Sequence, residues 1–117
     1  MIIREKGTQV LDKNLFAGRG TVKIEPLFSS EEFNAPVRLC ARLRLVPGTS
    51  IGLHQHIDED EIYYILEGKG EVYDGERKYS VSAGSSILTV SGESHSLENT
   101  GSRDMVLLAV IPQAHTP

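Results

Sequence analysis

Residues 37–45 alternate, with Val37, Leu39, Ala41, Leu43 and Leu45 on one side and Arg38, Cys40, Arg42 and Arg44 on the other. A period of two predicts a strand with its leucines turned to a core and both later arginines turned outward. The alternative register would turn Arg42 and Arg44 inward, where a guanidinium could bind a carboxylate in bidentate fashion. It would expose the leucines at a cost, so the outward reading is favoured. Pro47-Gly48 ends the strand. Residues 61–66, Glu-Ile-Tyr-Tyr-Ile-Leu, are rich in β-branched and aromatic types and predict a second strand stopping at Gly68. Residues 71–73 and 77–79 flank Asp74-Gly75, the signature of a hairpin. Residues 86–90 and 105–111 read as buried strands with a turn near Thr100-Gly101. The second run is long enough for a helix, but its β-branched content and Pro112 favour strand. Only residues 29–33 offer a helical start, a turn or two with Ser as N-cap.

Short strands at this spacing, with 11 glycines, predict an all-β antiparallel sandwich or closed barrel. The first 20 or so residues lack periodicity and predict an edge strand or an arm packed on a partner subunit. There is no internal repeat and no linker, and 117 residues suit a single domain spanning 1–117.

Composition narrows the function classes. Hydrophobic residues make up 39% and charged residues 24%, an ordinary globular balance. A net charge of -4 argues against wrapping nucleic acid, which requires a basic surface. The basic residues form no run suited to an anionic membrane, and no apolar stretch nears the roughly 20 residues of a membrane span. Residues 1–6 lack the apolar segment of a secretory signal, so the expectation is a cytoplasmic protein. The single cysteine, Cys40, allows neither an intramolecular disulfide nor a thiolate cluster and predicts a small buried hydrophobe.

The candidate chemistry lies in three histidines and one glutamate. His54 and His56 are two apart, which on a strand points both imidazoles to one face. Glu61 follows an acidic turn, Ile57-Asp58-Glu59-Asp60, and His95 begins a later strand. Three imidazoles and a carboxylate would suit Mn, Fe, Co, Ni, Cu or Zn and serve Mg or Ca poorly. His-x-His alone arises as readily in an exposed loop, and the acidic turn is most simply a solvated one.

The glycines around these residues change that balance. Gly48, five residues, His54-Gln55-His56, four residues, Glu61, six residues and Gly68 make one motif, over 48–68. Gly84, five residues, Val90-Ser91-Gly92, two residues, His95, three residues and Asn99 make another, over 84–99. The chain thereby resembles the cupin superfamily, in its compact single-domain form similar to oxalate-decarboxylase-like cupins. Only Val90 departs from the pattern, standing where the family usually has proline. The resemblance implies a cupin jelly-roll β-barrel, commonly a homodimer. It also implies that His54, His56, Glu61 and His95 hold one divalent ion, with Mn or Fe favoured and Zn, Ni and Co admitted. One or two coordination positions would stay open to water or substrate.

Alternation from Glu61 turns Tyr63 and Ile65 inward, making Tyr63 the candidate hydrogen-bonding pocket residue, with a core aromatic role as the alternative. Asn99 is expected to secure a turn, and His115, in the tail, to take no part. The function expected is metal-dependent action on a small carboxylate or enediol, by an oxalate-decarboxylase-like lyase or a dioxygenase. A decarboxylase also needs a proton donor, and Glu59 or Asp60 cannot be placed in the pocket from sequence. The alternatives are a metal-dependent sugar isomerase or epimerase, which needs a base near the ion, and a non-catalytic small-ligand-binding module.

Overall fold

In the computed structural model, which describes residues 1–7 and 9–114, ten strands and one 3-10 turn follow one another. The strands are β1 (Leu11–Lys13), β2 (Val22–Pro26), β3 (Val37–Leu45), β4 (Ser50–Gln55), β5 (Glu61–Glu67), β6 (Lys69–Tyr73), β7 (Lys78–Ser82), β8 (Ser86–Thr89), β9 (Ser94–Glu98) and β10 (Met105–Pro112). The expected helical start at Ser29 is a single 3-10 turn, Ser30–Glu32, closed by Ser29 N–H donating to Glu32. Among the described residues, no helix is long and apolar enough to cross a membrane.

The strands form two antiparallel sheets, ordered β1-β2-β3-β10-β5-β8 and β4-β9-β6-β7. This is the jelly-roll barrel, its core lying where the inner faces meet. Leu43, Leu107 and Ile65 stand in register across β3, β10 and β5, all buried. Truncating Leu107 at the centre of that row would cost roughly 2–5 kcal/mol, the transfer loss plus a cavity. One row over, Ala41, Ala109 and Tyr63 align, and the two small residues leave room for the Tyr63 ring and the cavity beside it.

Arg42 and Arg44 face outward, paired with Glu25 and Asp104. Cys40 shares their side of β3 and is half-buried, a correction to the expectation of a core position. It lies on the outer face because β3 already commits its odd-numbered residues to the core. At Gly68, φ is +84 and a Cβ would come within 2.6 Å of the Asp104 carbonyl, so the turn from β5 into β6 requires glycine.

The N-terminal segment folds on its own chain. Residues 11–13 make an edge strand, and Arg4 holds Glu32 through both carboxylate oxygens. The loop after β1 turns back onto β4, pinched by Asn14, whose amide donates to the carbonyls of Gly18 and Gly20.

Candidate metal centre

The site forms where β4 and β9 of one sheet face β5 and β8 of the other. His54 and His95 are direct cross-strand partners. Glu61 and Thr89 are direct partners on the opposing sheet. His56 lies just past the end of β4 and is fixed by backbone hydrogen bonds to Glu93 and Gly92.

A register shift in β4 makes this possible. Ile51 pairs with Leu97 and His54 with His95, so two residues, Gly52 and Leu53, oppose Ser96 alone. This β-bulge lets Ile51 and His54 share the inner face although three positions separate them. Gly52 is required there, because a Cβ would lie 1.9 Å from the Phe16 carbonyl.

The imidazoles are held from behind. His54 donates Nδ1–H to the Gly52 carbonyl at 2.7 Å, and His56 donates Nδ1–H to Glu59 at 2.6 Å. Thr89 Oγ1 lies 2.8 Å from Nδ1 of His95 and can accept in the same way. Each bond turns Nε2 to the same point. Nε2 of His95 lies 3.1 Å from that of His54 and 3.0 Å from that of His56, and Oε1 of Glu61 lies 3.1 and 3.0 Å from His56 and His95. With Nδ1 protonated, neutral imidazoles leave no N–H to bridge these atoms, so lone pairs face lone pairs. A cation resolves that conflict. All four donor atoms lie within 4.8 Å of one another. Metal–ligand bonds of about 2.1 Å at right angles would separate neighbouring donors by ~3.0 Å, so His54, His56, Glu61 and His95 could hold one ion.

Electrostatics agree with that geometry. Burial pushes the His54 imidazole below its ordinary value, which keeps its lone pair available. Both oxygens of Glu59 are held by Arg38 at 2.8 Å, and the pair lowers the Glu59 carboxyl to about 2. Tyr63 is buried and its ring stacks on His95 with centroids 4.9 Å apart. Burial, reinforced by the nearby Glu61 charge, raises its phenol well above the ordinary value, so it remains a hydrogen-bond donor.

A cavity of about 260 Å³ opens over His54, His56, Glu61 and Tyr63. Phe16 stacks on His54 at its edge, ring centroids 3.8 Å apart. A wider groove of about 510 Å³ reaches Thr89 and His95 from the β6–β8 side. Its carboxylates Asp74, Glu76 and Glu93 make it unsuited to an anion.

Of the other residues singled out by sequence, Asn99 secures a turn, its amide donating to the carbonyls of Leu45 and Arg103 and its oxygen accepting from Gly101 N–H. Val90 uses the N–H that proline would lack, donating to Glu93 at 2.9 Å. Asp60 accepts from Ser91 N–H. His115 lies outside the described residues. Sequence reasoning missed Thr89, Arg38 and Phe16 and gave Glu59 no place. Thr89 left one trace, a polar residue at inward parity opposite Glu61.

Comparison with known proteins agrees with this barrel. An "Oxalate-binding protein" of Thermotoga maritima is 48% identical over 98 residues, covering 84% of this chain and 81% of the relative. A crystal structure of a predicted oxalate decarboxylase, also from Thermotoga maritima, superposes with a TM-score of 0.87 at 43% identity, covering 97% of this chain and 99% of that one. A structure from Thermus thermophilus matches with a TM-score of 0.69 at 28% identity, covering 80% of this chain and 85% of that one. The Cupin domain family matches residues 41–111, and with both motifs in place on a jelly-roll barrel the chain belongs to the cupin family.

Proposed function

We propose that His54, His56, Glu61 and His95 hold one divalent ion, Mn or Fe in preference to Zn, Ni or Co, and that a small carboxylate or enediol ligand binds it from the cavity. The observation carrying this reading is the convergence of three Nε2 atoms and one carboxylate oxygen, with near neighbours 3.0–3.1 Å apart. The relative called an oxalate-binding protein and the neighbour described as a predicted oxalate decarboxylase support a small acid as the ligand class. When bound, the ion would act as a Lewis acid toward the ligand's oxygens.

The protein's own residues do the remainder. Tyr63 offers a hydroxyl donor beside the ligands, and Phe16 with the apolar cavity wall limits access of water. Arg38 and Glu59 hold His56 in orientation. A decarboxylase must also protonate its product, and neither nearby carboxyl can do so. Glu59 is ionised and paired, and Asp60 is engaged with Ser91. An oxygen-using dioxygenase needs no such acid and is the reaction class we favour. The name of the Thermotoga relative favours a second reading, non-catalytic binding of the same acid. An isomerase finds no free base, since Glu61 is a ligand in this account.

We also infer a homodimer. Ile62, Tyr64, Leu66 and Leu88 leave an apolar strip exposed on the outer face of β5 and β8, the kind of surface a two-fold contact covers. Oxygen uptake and carbon dioxide release by the Mn- and Fe-loaded protein, screened over small acids, test the reaction class. Uptake without release fits a dioxygenase, release without uptake overturns it in favour of a lyase, and neither leaves the binding role.

A further inference from the structure

The cavity over the donor cluster has a polar inner end, where His54, His56, Glu61 and Tyr63 lie. Its walls include Leu15, Phe16, Leu39, Leu43, Ile51 and Ile111, from the loop after β1 and from β3, β4 and β10, with further apolar surface from β1 and β2. Leu43, Ile51 and Ile111 are buried, so this apolar surface belongs to the inner cavity as well as the mouth. The exposed side chains of Lys13 and Arg38 line the outer part. The volume, about 260 Å³, stands just under the ~300 Å³ at which small-molecule pockets begin, and is many times the ~30 Å³ share of one water in the liquid.

An acid with no apolar part, such as oxalate, would use the inner end and leave the walls against water. Chelating oxygens must enter first, because the donors they would join are at the buried end. Whatever follows them then lies along the leucine, isoleucine and phenylalanine side chains. Lys13 at the mouth favours the approach of an anion, while the charge of Arg38 is met by Glu59.

Resting on the metal-centre reading, we propose that the site takes a metal-chelating carboxylic acid carrying an apolar body of several carbons, its acid head inward and its body against Leu39, Leu43, Ile51 and Ile111. Each methylene moved from water onto such a wall tightens binding about fourfold.

The test is calorimetric titration of the Mn-loaded full chain with 2-hydroxy acids lengthened from glycolate to 2-hydroxyhexanoate, the Mn content being measured on the same sample. The expected result is a Kd that falls about fourfold per methylene over at least three additions. Leu39→Asn, at a half-buried wall position outside the ligand set, should flatten that dependence. Loaded protein whose affinity is flat or weakens with length would overturn the proposal and leave the metal centre standing. Protein that takes up no Mn would overturn the metal-centre reading itself, and this proposal with it.

Discussion

Glu59 accepts the Nδ1–H of His56 at 2.6 Å while Arg38 grips both of its oxygens at 2.8 Å. The imidazole is thus aimed by a carboxylate that is itself fixed. Partners of this kind typically govern metal affinity by about 10- to 100-fold. Glu59→Ala should therefore weaken Mn binding by about that factor while leaving the four donors in place. Competition with a chromophoric chelator measures it, and an unchanged affinity would remove Glu59 from the account.

The same pair sets a pH dependence. The Glu59 carboxyl is held at about 2 in the folded chain against an ordinary 4.5. A depressed folded value contributes stability above pH 4.5 that is lost as pH falls toward 2. In metal-free protein, urea midpoints should drop across that window, and Glu59→Gln should make the drop shallower.

Backbone strain gives a pair of opposite outcomes. Ala17 has φ of 57°, a left-handed conformation costly for any residue with a Cβ. Ala17→Gly should stabilise the fold by about 0.5–1 kcal/mol, the relief being partly offset by chain entropy. Gly52→Ala forces a Cβ into the Phe16 carbonyl and should cost more than about 2 kcal/mol. Urea denaturation of both variants tests the packing of the 14–20 loop on β4.

The exposed strip on β5 and β8 predicts self-association. Sedimentation should give a dimer, and Leu88→Asp or Tyr64→Asp should shift it to monomer with the barrel's circular dichroism intact. A monomeric parent protein would refute the inferred homodimer.

Much of this fold and site was legible because it rests on local rules. Alternation placed Leu43, Tyr63 and Ile65 inside and Arg42 and Arg44 outside. The resemblance carried by the two glycine-bounded motifs implied the set His54, His56, Glu61 and His95, whose donor atoms the fold brings together. Residues 22–26 went unassigned although Val22 and Ile24 alternate, because that short strand ends in Pro26 and is secured by pairing with β3. The bulge at Gly52 and Leu53 was invisible, since a one-residue slip depends on which β9 residue lies opposite. Phe16 could not be foreseen on His54, because two left-handed residues and a loop folded back across a glycine carry it there. Glu59 read as a solvated acid, since its value to the site depends on Arg38, distant in sequence.

The most direct measurement is elemental analysis of the protein purified without added metal, alongside His54→Ala, His95→Ala and His115→Ala. About one divalent ion per chain is expected in the parent and in His115→Ala, with near-complete loss in the other two. The melting temperature should also fall on chelation, because binding to the folded state alone stabilises it. A metal-free parent protein, or equal retention in all three variants, would contradict the metal centre.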